Sequence, residues 1–76
     1  TTISYGVKEP GRVKLQIYNI KGQLVRNLVD EEHTAGHYKR LFDGKDNTGR
    51  ILSSGVYLIR MSAPGYRMTY KMMLIK

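Results

Sequence analysis

His33 and His37 stand four residues apart, the spacing that aligns two imidazoles as metal ligands on one face of a helix. Gly36 lies between them and an alternating pattern follows, so the pair falls near a loop instead. No Cys and no well-spaced carboxylate supplies a third or fourth ligand, and both histidines read as solvated loop side chains. Glu31 and Glu32 are adjacent, so on a strand they would face opposite ways and form no acid/base dyad. The richest polar cluster is Asp43-Gly44-Lys45-Asp46-Asn47-Thr48-Gly49. Asp43, Asp46 and Asn47 are a candidate oxygen set for calcium, which takes many oxygen ligands in flexible loops. Lys45 sits inside the cluster, however, and no bidentate Glu closes it. Asx-type turns, in which Asp and Asn side chains bind their own backbone, account for the same residues without an ion. No metal and no cofactor is therefore expected.

The elements that must position these groups belong to a chain of 76 residues without Cys or Trp. A chain this short buries about 60% of the surface its unfolded form exposes, so it is expected to form a single domain over residues 1–76 with one thin core. That excludes a two-domain enzyme and leaves little room for a catalytic cleft. No apolar run approaches the roughly 20 residues of a bilayer-spanning helix, and TTISYGV lacks the charged and apolar regions of a leader. Thirteen Lys and Arg oppose six Asp and Glu, a formal charge of +7 that favours acidic partners. Along the sequence these cations are scattered, alternating with apolar positions as on a solvated strand face. Tyr5, Tyr38 and Tyr57 fall on inward faces rather than on a base-stacking platform, so nucleic acid is not expected as a partner. A carbohydrate-binding module would need exposed aromatics such as Tyr18 and Tyr66 on one face, and is a weaker alternative.

Apolar residues recur with a period of two, the signature of strands. Ile3, Tyr5 and Val7 alternate with polar or small residues, and Val13, Leu15 and Ile17 do so most cleanly. Lys21-Gly22 makes a tight turn. Residues 23–30 carry apolar groups at 24, 25, 28 and 29, fitting neither period; the β-branched valines favour a strand with a bulge. Tyr38, Arg40 and Phe42 share one face of a fourth strand that ends at the turn from Asp43 to Arg50. Gly55 opens a fifth strand with Tyr57, Ile59 and Met61 on one face and Val56, Leu58 and Arg60 on the other. Pro64-Gly65 marks the last hairpin. From Tyr66 to Lys76, Tyr70, Met72 and Leu74 alternate with Lys71, Met73 and Ile75, so both faces carry apolar groups. The expected fold is all-β, a small antiparallel Ig-like or fibronectin-III-like sandwich of about seven strands.

Taken in order, the motifs are Thr2-Ile3-Ser4-Tyr5, Val13-Lys14-Leu15-Gln16-Ile17-Tyr18-Asn19-Ile20-Lys21-Gly22-Gln23, Val25-Arg26-Asn27-Leu28 and Ala35-Gly36. Phe42-Asp43-Gly44-Lys45-Asp46-Asn47-Thr48-Gly49, Leu52-Ser53-Ser54-Gly55-Val56-Tyr57 and Lys71-Met72-Met73-Leu74-Ile75-Lys76 follow. This series resembles the type A C-terminal sorting domain of the type IX secretion system. It also resembles that domain's relative, the FlgD-like Ig domain of the flagellar hook-capping protein. The resemblance implies a non-catalytic address: a C-terminal signal that directs an exported cargo protein across the outer membrane. Its implied partners are the outer-membrane translocon, its sortase, and a parent cargo protein N-terminal to Thr1. The implied location is the periplasm in transit, then the cell surface or medium. By the same resemblance, Lys71, Met72, Met73, Leu74, Ile75 and Lys76 form the recognition element. Gly22 and Gly55 are turn formers, and Asp43, Gly44, Asp46 and Gly49 form the long turn. Phe42 stands where that family usually has Trp, and Arg40 where it is usually apolar. The abrupt start at Thr1 suggests a piece cut from a larger protein. The alternative is a structural Ig-like module, of hook-cap type or a spacer packed on a parent enzyme.

Overall fold

The computed structural model describes residues 1–75. Six strands follow in chain order: β1 Thr2–Val7, β2 Gly11–Asn19, β3 Leu24–His33, β4 Gly36–Leu41, β5 Gly55–Ala63 and β6 Tyr66–Leu74. All named strand pairs are antiparallel. They form a two-stranded sheet, β1-β4, and a four-stranded sheet, β3-β2-β5-β6, and no helix occurs among the described residues. The all-β sandwich is as expected, built from six strands rather than about seven. The long turn from Asp43 contributes one bridge, Lys45 to Ile51, and no further strand.

The alternation in β1, β2 and β5 is the burial pattern itself. Ile3, Tyr5 and Val7 from the small sheet meet Val13, Leu15, Ile17, Tyr57, Ile59 and Met61 from the large one, with Met72 and Leu74 closing the β6 side. Phe42, just past β4, is 2% exposed and fills the same core. Its backbone N–H donates to the Thr1 carbonyl at 2.7 Å, so the first residue and the end of β4 are tied together.

β3 departs from simple alternation because it carries two bulges. Against β2 the register skips Leu28 and then Val25. Each inserted residue re-aims the side chains that follow. Val25 and Leu28 thereby pack on the core alongside Val29, which explains an apolar pattern with no single period. The strand also continues through Glu31, Glu32 and His33, past residue 30, where the apolar pattern stops.

Two local devices set the corners. In the Leu52 to Tyr57 segment the Tyr57 hydroxyl donates to the Ser53 carbonyl at 2.7 Å, a tyrosine-corner arrangement that fixes the entry to β5. In the turn after β2, the Asn19 side-chain oxygen accepts from the Lys21 and Gln23 N–H groups, both at 3.0 Å. Gly22 there has φ 83°, a conformation open to glycine without steric cost.

Candidate interaction surface

His33 is the clearest departure from the sequence expectation. It is the last residue of β3 and 8% exposed, not a solvated loop residue. Its Nδ1 donates to the Glu32 carbonyl at 3.0 Å, which leaves Nε2 to accept from the Tyr5 hydroxyl at 2.8 Å. The ring stacks on Tyr38, centroids 4.1 Å apart, with Tyr5 alongside at 5.8 Å. Arg40 lies on the same face of β4 as Tyr38 and pairs with Glu31 of β3. A position expected to be apolar thus carries the cation of an inter-sheet ion pair. Burial pushes the Tyr5 phenol above its ordinary range, with Arg40 opposing it. The cluster joins the two sheets through side chains and has no metal-ligand geometry. Glu31 and Glu32 do face opposite ways, Glu31 toward Arg40 and Glu32 opposite Arg12.

His37 lies apart, on the rim of a depression of about 460 Å³ with Gly6, Val7, Lys8, Gly36 and Tyr66. The lining residues bring one imidazole beside one ammonium and include no carboxylate, so no acid/base pair is assembled there.

The polar turn is held by its own hydrogen bonds. One Asp46 carboxylate oxygen accepts from the Thr48 N–H, the Thr48 hydroxyl and the Arg50 N–H at 2.7–3.0 Å. These donors, the Thr48 hydroxyl foremost, hold the Asp46 carboxyl below the usual carboxylate range. Asp43 accepts from the Lys45 N–H and from Arg26, both at 3.1 Å, and is lowered chiefly by that backbone bond. Asn47 turns the other way, its Oδ1 accepting from the Asn27 N–H and its own N–H donating to Val25, both at 2.9 Å. The three candidate calcium ligands therefore each serve separate protein donors. Asn47 caps part of the otherwise open edge of β3. Gly44 and Gly49 have φ 76° and 89° within this turn, and Gly55 begins β5.

The last strand, β6, is an edge of the large sheet, paired only with β5. Met72 and Leu74 point into the core, while Lys71 and Met73 face outward, Met73 being 62% exposed. Ile75 follows the strand and is exposed; Lys76 lies outside the described residues. The register now places residues that look scattered along the chain. Lys14, Ser62 and Arg67 form one cross-strand row on the outer face, and Gln16, Arg60 and Thr69 the next. Tyr18, Leu58 and Lys71 form a third row, followed by Val56 opposite Met73. Arg60 lies over the Tyr18 ring, 5.2 Å from its centroid. Tyr66 belongs to the inward-facing parity of β6, opposite to the outer face that carries Tyr18, so the two do not form a sugar-stacking platform.

The family model described as the FlgD Ig-like domain matches residues 2–65 of this chain. The chain belongs to the FlgD Ig-like domain family. The structure is similar to that of FlgD from P. aeruginosa, with a TM-score of 0.68 and 25% identity over 96% of this chain. The match spans 59% of that FlgD chain. No curated protein sequence matches this one. In this FlgD Ig-like domain the features that sequence reasoning missed are long-range ones. Tyr5 and His33 are 28 residues apart, and the cationic rows draw on three strands. The packing of the two sheets brings the first pair together, and the pairing register the second set.

Proposed function

We propose that the chain is a non-catalytic Ig-like structural module that works by surface contact as part of a larger protein. The observation that carries this is the family match over residues 2–65 together with a fold shared with FlgD over 96% of the chain. The polar side chains agree with it. The buried imidazole and the inter-sheet ion pair join the two sheets, Asp43 ties the long turn to Arg26 of β3, and Asp46 holds the turn itself, as a scaffold requires.

A second reading is favoured by one feature. Lys71 and Met73 lie on the open edge strand of the large sheet, and an edge strand offers main-chain hydrogen bonds and alternate side chains to a receptor. On this reading residues 71–76 are a C-terminal sorting element read by an outer-membrane translocon and its sortase, and the cargo passes through the periplasm to the surface. One experiment separates the two. A reporter ending in this domain, intact or lacking residues 71–76, is expressed in a host with a type IX secretion system, and surface delivery is measured. The structural reading predicts the same delivery for both. Delivery by the intact fusion, lost on truncation while the truncated protein stays folded in the periplasm, overturns it in favour of sorting.

A further inference from the structure

The outer face of β2-β5-β6 is chemically two-sided. Its upper rows hold Lys14, Arg60 and Arg67 around the hydroxyls of Ser62 and Thr69, lining a shallow depression of about 460 Å³. Lys71 stands in the next row. No carboxylate projects from these three strands on this face. The nearest ones, Asp30 and Glu32, are on β3; Asp30 stands directly across from Lys14 and feels its charge, although its hydrogen bond goes to Arg12 at 2.8 Å. Among the described residues no ion pair engages Lys14, Arg60, Arg67 or Lys71. Directly below lie Leu58, Val56 and Met73, the last two exposed.

Arg60 lies diagonal to Arg67 and Lys71 on the adjacent strand, within reach for long side chains, and no carboxylate on β5 or β6 offsets these three cations, so this part of the face favours an acidic partner. An oxyanion alone would satisfy the upper rows but would leave the apolar end in water. A nucleic acid's phosphates would likewise meet the cationic rows but leave the apolar end in water, and bases that stack find the Tyr18 ring covered by Arg60. We propose that this face binds an acidic protein segment. Its carboxylates meet Lys14, Arg60 and Arg67, and an adjoining apolar side chain packs on Leu58, Val56 and Met73. The proposal rests on the reading of the chain as a contact module and names the partner chemistry of that contact.

The probe is a soluble twelve-residue peptide of alternating Glu and Val. It is compared with its Lys/Val counterpart, a Glu/Ser peptide, inorganic phosphate and a twelve-nucleotide single-stranded DNA. Binding to the ¹⁵N-labelled chain is followed by amide shift changes and titration at low and physiological salt. The Glu/Val peptide is expected to shift the outer-row amides of β2, β5 and β6 and to weaken as salt rises. The Glu/Ser peptide should bind more weakly and the Lys/Val peptide not at all. Arg60→Glu with Arg67→Glu should lower affinity about tenfold or more, since each reversal removes an attraction and adds a repulsion. Met73→Glu should weaken it as well. Lys8→Glu makes the same single-site charge change away from this face and should leave binding intact. The proposal is overturned if the Glu/Val peptide shifts no outer-row amide, or if phosphate or the DNA binds as well as that peptide. It is also overturned if Lys8→Glu weakens binding as much as the double reversal. The same spectra report folding of each variant, and none of these results bears on the truncation experiment above.

Discussion

Replacing Tyr5 with Phe removes one oxygen from a side chain that is 6% exposed and leaves its ring in place. The lost hydroxyl is the donor to Nε2 of His33, at 2.8 Å, and His33 itself is 8% exposed. Nδ1 is committed to the Glu32 carbonyl, so the ring has no second tautomer that satisfies both nitrogens. Leaving a buried acceptor unpaired costs about 1–3 kcal/mol. For a chain of 76 residues the whole stability is about 4–11 kcal/mol at the usual value per residue, so the loss is a large fraction of the total. With about 4–8 °C per kcal/mol for a domain of this size, Tyr5→Phe is expected to melt roughly 5–20 °C below the parent chain. Urea titration with fluorescence or circular dichroism measures the free-energy change directly, with an unchanged denaturant slope. The double variant Tyr5→Phe/His33→Leu should recover part of the loss, because the buried Nε2 acceptor is no longer stranded, while the part-buried Glu32 carbonyl gives up its Nδ1–H donor. A Tyr5→Phe cost under about 0.5 kcal/mol, or strict additivity in the double variant, would refute the reasoning.

Phe42→Ala empties a site that is 2% exposed, and at about 3–5 kcal/mol should leave the domain marginal or unfolded at 37 °C by calorimetry. Asn47→Ala removes the Oδ1 acceptor for the Asn27 N–H; a loss of about 1 kcal/mol and faster hydrogen exchange at Asn27 are expected. Tyr57→Phe removes the bond to the Ser53 carbonyl and should cost about 1 kcal/mol in urea. Asp30, Asp43 and Asp46 all have carboxyls held below their usual range, by Arg12, the Lys45 N–H and the Thr48 hydroxyl respectively. Their contribution is present above the unfolded carboxylate pKa of about 3.9 and is lost as pH falls through the lower folded values. Melting temperature should therefore drop below about pH 4, and Asp46→Asn should flatten part of that drop.

Strands β1, β2 and β5 were legible because a half-buried strand writes its two faces as alternation, and Val13, Leu15 and Ile17 or Tyr57, Ile59 and Met61 do so without interruption. The polar turn was legible for a similar reason: Asp46 acts on Thr48 and Arg50, within the reach of local sequence. β3 was only partly legible. Two bulges break its period, and its apolar pattern stops before Glu31, Glu32 and His33, whose place in the strand shows only once the partners of Glu31 and His33, Arg40 and Tyr5, are known. Arg40 was legible as facing the same side as Tyr38 and Phe42, but its use as an inter-sheet cation was not. The cationic rows were illegible because spacing along one strand says nothing of which residue lies across from it; the turns and bulges decide that. Lys14 and Arg67 are far apart in sequence and flank the same serine in space.

The central claim is that this module acts by contact through the outer face of β2-β5-β6. Amide hydrogen exchange of the natural full-length protein in its assembled state, compared with the isolated domain, tests it most directly. Slower exchange confined to the outer rows and free edge of β6, with the β1-β4 sheet unchanged, is the predicted result. Identical exchange at every β6 amide in the two states would contradict it.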